Sequence, residues 1–148
     1  MSVGPAVARL IEMVLESKTM KILLIEDSRF LRSVIEKTLG RAGYEVTGVA
    51  DGQEGLRVAR ASAPNLILLD MMLPGLDGTS VLKELKKEAS TARIPVIVLT
   101  GLSQVNETKL RKAGAAAYFE KSSLNLEKNG DALLRAIESC VGPLPITT

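Results

Sequence analysis

The chain has 148 residues, 46% hydrophobic and 24% charged, with a formal net charge of +2, an ordinary balance for one domain with a core of its own. The charge is small and dispersed, which argues against nucleic acid or a membrane surface as a partner. Cys140 stands alone, so no disulfide framework can form within the chain, and no run of about 18 apolar residues is present to cross a bilayer. Arg9 and Glu12 interrupt the only apolar region near the N-terminus, so no signal peptide is read there; the composition suits a reducing cytoplasm.

Taken in order, the elements begin with "PAVARLIEMVLESK". Val7, Leu10, Ile11, Val14 and Leu15 fall at i, i+3, i+4, i+7 and i+8, with Arg9, Glu12 and Glu16 off the stripe. This spacing predicts a helix over 5–17, with Pro5 near its first turn. A helix so short is marginal alone in water. It is expected to pack on the rest of the chain or on the same helix of a second copy. Next, Ile22–Ile25 is a short apolar run running into Glu26 and Asp27. Phe30, Leu31, Val34, Ile35 and Leu39 form a helical stripe closed by Gly40 and Gly43. A weaker strand covers Tyr44–Ala50. Asp51 and Glu54 resemble a capping box for a helix holding Leu56 and Ala59.

Leu66–Leu69 is the third apolar run, ending in Asp70. Asp77 is placed to cap a helix carrying Val81, Leu82 and Leu85. Val96–Leu99 ends in Thr100. A helix over Val105–Ala113 follows, then a weaker strand over Ala115–Phe119 leading to Glu120 and Lys121. The last helix carries Leu126, Leu133, Leu134, Ile137 and Val141, stopped by Gly142–Pro143. Runs apolar at consecutive residues suit strands buried on both faces. Strands alternating with helices predict an α/β fold with a parallel sheet and helices on both faces.

In an open parallel sheet, ligands bind at the carboxyl ends of the strands. That rim collects Glu26, Asp27, Asp70, Thr100 and Lys121. Singly, an Asp after a strand is more often a helix cap, and a lone Lys a solvated charge. Together, three carboxylates within about 4–6 Å repel by roughly 1 kcal/mol per pair even in water, and by several-fold more when partly buried. One lysine cannot neutralise them, so the cluster predicts a cation. The chain has no histidine and a single remote cysteine, which excludes an ordinary zinc site; carboxylate oxygens favour Mg2+, Ca2+ or Mn2+. A carboxylate beside a metal, a hydroxyl and an ammonium can act as a nucleophile toward phosphorus.

Four segments in order carry a family resemblance: "ILLIEDS", "LILLDMMLPGLDG", "VIVLTG" and "GAAAYFEK". Over residues 20 to about 141 the chain resembles the receiver domain of two-component response regulators, of the CheY-like kind. The resemblance implies a doubly wound, flavodoxin-like five-stranded sheet of order 2-1-3-4-5, preceded by a helical extension over 1–19 and followed by a tail over 142–148. It implies Asp70 as phospho-acceptor, and Mg2+ bound by Glu26, Asp27, Asp70 and the backbone carbonyl of Met72. Lys121 pairs with the phosphoryl oxygens, Thr100 is the switch hydroxyl, and Tyr118 is the aromatic that turns with it. Pro74, Gly75 and Gly78 match the turn after the acceptor. One departure is "KSSLN": Ser122 stands where the family commonly has proline, so a cis peptide is not expected there.

The function implied is a phosphorylation-driven switch with weak self-catalysed phosphotransfer and dephosphorylation. The donor is a phosphohistidine on a sensor histidine kinase or a histidine phosphotransfer protein. The output is a downstream protein target, met by the face formed by the helix over 105–113 and the strand after it. Self-association is expected through the N-terminal helix or through that same face together with the last helix. The competing readings are a receiver-fold interaction module that works without phosphorylation, and a receiver domain excised from a larger regulator. A metal-dependent phosphatase ranks below these, because Met72 stands where a general acid is wanted.

Overall fold

The computed structural model describes residues 3–17, 19–101, 107–124 and 130–144, with the side chains of 13–17 and 123 outside that description. Five parallel strands form one sheet: β1 (Lys21–Ile25), β2 (Glu45–Val49), β3 (Leu66–Asp70), β4 (Val96–Thr100) and β5 (Ala117–Glu120), in the order β2-β1-β3-β4-β5. Six helices are described: α1 (Pro5–Ser17), α2 (Arg29–Arg41), α3 (Gly52–Ser62), α4 (Gly78–Lys87), α5 (Glu107–Lys112) and α6 (Asp131–Val141), with a short 3-10 turn at Lys121–Ser123. The fold is doubly wound and flavodoxin-like, as expected.

The consecutive apolar runs work because successive side chains of a strand point to opposite faces. Leu23, Ile25, Ile67, Leu69, Val96 and Val98 join one core, which α3, α4 and α5 cover with Leu56, Ala59, Val81, Leu82, Leu85 and Leu110. Ile22, Leu24, Leu66, Leu68, Ile97 and Leu99 join the other, covered by α2 and α6 with Ile35, Leu39, Leu133 and Ile137. β3 and β4 are buried along their whole length, whereas β2, at the sheet edge, is only partly so. Their continuous hydrophobicity therefore reports helices on both sides.

Polar side chains fix where the helices begin. Ser28 accepts from Leu31 N at 3.2 Å, Asp51 from Glu54 N at 2.8 Å and Asp77 from Ser80 N at 2.9 Å; each satisfies a first-turn N–H that has no partner within its own helix. The capping box at Asp51 is half made, because the Glu54 carboxylate turns to Arg57 instead of back to the cap. α2 continues through Gly40 to Arg41, and the turn is made by Gly43, whose φ of +105° only glycine adopts readily. α6 ends on Gly142 at φ +81°, where the sequence placed its stop.

α1 is helical over Pro5–Ser17, yet Val7, Leu10 and Ile11 are 47%, 60% and 47% exposed. These three do not pack on the rest of the chain as expected. The side chains of Val14 and Leu15, and all of Val105 and Leu126, lie outside the described residues. Among the described residues no helix is long and apolar enough to cross a membrane.

Candidate metal and phosphoryl site

Register brings the acids together. Ile25 pairs with Leu69 across β1 and β3, which puts Glu26 level with Asp70. Asp70 pairs with Leu99, so Thr100 lies one residue further along β4, and Thr100 pairs with Glu120, after which the chain reaches Lys121. All strands run parallel, so these ends share one rim.

Two carboxylates are buried at the rim and one is not. Glu26 and Asp70 are 0% exposed, while Asp27 faces solvent. A ligand oxygen from each of the three lies within 4.8 Å of the others. The Lys121 ammonium bridges the buried pair, 2.8 Å from Glu26 Oε1 and 3.0 Å from Asp70 Oδ2. Those two oxygens have no other hydrogen-bond partner among the described residues. The second oxygens are held by backbone: Ser28 N donates to Glu26 Oε2 at 2.9 Å, and Met72 N donates to Asp70 Oδ1 at 3.1 Å.

The electrostatics are unbalanced. Burial pushes the Glu26 carboxyl above the usual carboxylate range, although the Lys121 and Ser28 hydrogen bonds pull it down; the Asp70 charge adds to the rise. Burial also pulls the Lys121 ammonium down, but its bonds to Glu26 and Asp70 and their charges outweigh this and hold it above the usual lysine value. With all three acids ionised, Lys121, the one cation bonded to these carboxylates among the described residues, leaves two negative charges without a bonded partner of opposite sign. The residues fit a hard divalent cation: three carboxylate groups at one rim, two of their oxygens tied only to Lys121, and no histidine or thiol among them.

The other expected residues surround this cluster. Thr100 is fully buried at the end of β4. Tyr118 is half-buried on β5 and packs against the α3–α4–α5 core. Met72 directs its backbone N–H at Asp70 while its side chain is 59% exposed. The Lys121–Ser122 peptide is trans. Two residues that sequence reasoning passed over also act here. Ser28 serves twice, as the cap of α2 and as donor to Glu26. Arg32 donates from Nη1 to the Glu26 carbonyl at 2.8 Å. The available signal was an arginine one turn into the helix that follows an acidic pair.

Residues 22–132 match the family model of the response regulator receiver domain, and the chain belongs to that family. The probable transcriptional regulator ycf27 of Porphyridium aerugineum is 40% identical over 122 residues, which are 80% of this chain and 49% of that protein. The chain spans about half the length of the curated relatives it matches first. The receiver domain of a sensor histidine kinase from Pseudomonas aeruginosa, solved with a magnesium ion coordinated in its active-site cleft, is 32% identical with a TM-score of 0.73, over 84% of this chain and 99% of that one. The phosphorylated cyanobacterial phytochrome response regulator RcpA is 31% identical with a TM-score of 0.69, over 86% and 99%.

Proposed function

We propose that this chain is a phosphorylation-dependent signalling switch whose phospho-acceptor is Asp70. The observation that carries the reading is the rim cluster itself: two buried carboxylates bridged by Lys121, with the exposed Asp27 beside them. The donor is a phosphohistidine on a sensor histidine kinase or phosphotransfer protein; residues 1–148 hold no histidine to supply it. An Asp70 oxygen attacks phosphorus, the P–N bond breaks, and its electron pair returns to the imidazole. Glu26, Asp27, Asp70 and the Met72 carbonyl are the protein ligands for Mg2+, which when bound disperses negative charge on the transferring group.

Lys121, now tied to both carboxylates, turns to the phosphoryl oxygens. Thr100 supplies a hydroxyl to the same group, and Tyr118 moves with it. Thr100 ends β4 and Lys121 follows β5, so following the phosphate means moving the chain at these two strand ends. The face made by α5 and β5 is thus the output surface, read by a downstream protein target. Return to the resting state is hydrolysis of the acyl phosphate, weakly self-catalysed. The receiver body extends over 20–141 with α1 as an added element, and the setting is the cytoplasm.

The test is incubation with acetyl phosphate and Mg2+, followed by intact mass and peptide mapping. One phosphoryl group on Asp70 is expected, and chelator is expected to block it. Uptake on another residue overturns the acceptor; no uptake at any Mg2+ concentration favours a receiver-fold module that binds partners without phosphorylation.

Self-association is proposed through α1, because Val7, Leu10 and Ile11 all stand exposed, or through the α5–β5–α6 face. Deleting residues 1–18 is expected to reduce the mass seen by light scattering if α1 joins two copies. An unchanged mass assigns any dimer to the other face.

A further inference from the structure

Arg32 sits in the second turn of α2 with its side chain only 20% exposed. Its Nη1 donates to the backbone oxygen of Glu26 at 2.8 Å, and its Nε lies 4.0 Å from Glu36 Oε1, one turn further along α2. The carbonyl it holds belongs to the peptide that joins Glu26 to Asp27. The same short segment is tied at two other points: Glu26 N donates to Val49 O at 3.0 Å, and Ser28 N donates to the Glu26 carboxylate at 2.9 Å. Those two bonds hold the preceding peptide N–H and the Glu26 side chain; the Arg32 bond is made to the Glu26–Asp27 peptide itself.

Gly48 shows that this arrangement is built. It lies on β2, paired with Leu24 of β1. A Cβ there would stand 2.9 Å from both Cγ and Cδ of Arg32, and would run into the Glu36 carboxylate. Glycine weakens a strand interior and is found where something must approach the backbone closely. Here the close neighbours are the Arg32 stem and its partner Glu36, laid across the edge strand.

We propose that Arg32, seated by Gly48 and steered by Glu36, is a positioning residue for the metal ligands: it orients the Glu26–Asp27 peptide so that both acids face one ion. This rests on the Mg2+ reading above. It makes a prediction opposite in sign to simple electrostatics. Arg32 is a cation beside the site, so if it acted through charge alone, removing it would tighten Mg2+ binding. As a positioner, its removal weakens binding. Residues that orient metal ligands typically matter by about 10–100-fold in affinity.

The experiment is Mg2+ titration of the full chain by calorimetry, with Mg2+-dependent acetyl phosphate labelling alongside. Arg32→Met is expected to weaken Mg2+ binding about tenfold or more. Its labelling rate should return to within about twofold of wild type at saturating Mg2+, because the acceptor is untouched. Arg32→Lys, which keeps the charge and one donor, should recover part of the affinity. Gly48→Ala should weaken Mg2+ binding although Arg32 is still present, and it stands in for Arg32→Met should that variant not fold. Unchanged or tighter Mg2+ binding in Arg32→Met, or in Gly48→Ala where it replaces that variant, overturns the inference while leaving the site reading intact. Absence of Mg2+ binding in the wild type overturns both.

Discussion

Asp70→Asn is expected to take up no phosphoryl group from acetyl phosphate and, in chelator, to melt above the wild-type protein. The first effect follows from losing the only nucleophilic oxygen pair in the proposed acceptor position. The second follows from the buried charges. Glu26 and Asp70 are both fully buried at one rim with Asp27 close by, and one ammonium serves them. A like-charge pair at 4 Å repels by about 4 kcal/mol at an effective dielectric near 20. The amide cannot accept from both Met72 N and Lys121, so one hydrogen bond is lost, worth about 1–3 kcal/mol. Losing the Asp70 charge also gives up its attraction to Lys121 at 3.0 Å, but it relieves repulsion from both Glu26 and Asp27 and leaves one charge fewer to bury. Lys121 keeps Glu26, so the balance favours the variant, by about 1 kcal/mol.

Added Mg2+ should reverse the order. At a hundredfold excess over its dissociation constant, a ligand specific for the folded state stabilises it by about 2.7 kcal/mol. For a chain of this size that is about 5–10 °C in melting temperature. The wild type should gain this and Asp70→Asn should gain far less. Calorimetric or circular-dichroism melts with Mg2+ and with chelator decide it. A variant that melts below wild type in chelator and still gains fully from Mg2+ would show that the three acids do not act as one metal site.

Gly78→Ala is expected to destabilise the protein by about 3 kcal/mol, the upper part of the range for overpacking. Gly78 opens α4 directly after its cap, and its N–H bonds to Met71 O at 3.2 Å. A Cβ there would lie 2.5 Å from Asp70 O and 2.5 Å from Met71 Cα. Both neighbours are backbone, so no side-chain rotation relieves the contact. The helix must shift, or the chain carrying Asp70 and Met72 must. Stability should fall by chemical denaturation, and Mg2+ binding should weaken with it. Gly40→Ala is the control: nothing lies within 4 Å of a Cβ at that helical position, and alanine there should stabilise by up to about 1 kcal/mol. If Gly78→Ala matched wild type, the approach of α4 to the end of β3 would be wrong.

The sequence by itself determined the order and type of the elements, the parallel character of the sheet and the set of rim residues. Each rested on local physics. Four-residue apolar runs are readable as strands covered on both faces; Asp51 and Asp77 precede helical stripes; and parallel strands send Glu26, Asp70, Thr100 and Lys121 to one edge whatever their order. The register that puts Glu26 beside Asp70 was not readable, because it depends on how helices on both faces seat the strands against each other. Nor was the division of labour between adjacent acids. Glu26 turns inward to Lys121 and is wholly buried, while Asp27 turns to solvent, since consecutive residues leaving a strand face opposite ways and only the packed neighbours decide which is inside. Gly40 read as a helix stop but lies within α2, because the turn at Gly43 supplies the left-handed backbone instead. The stripe of α1 predicted its helix, yet its exposed Val7, Leu10 and Ile11 were beyond sequence reasoning: amphipathicity tells that a face seeks a partner, and only tertiary packing decides whether this chain supplies one.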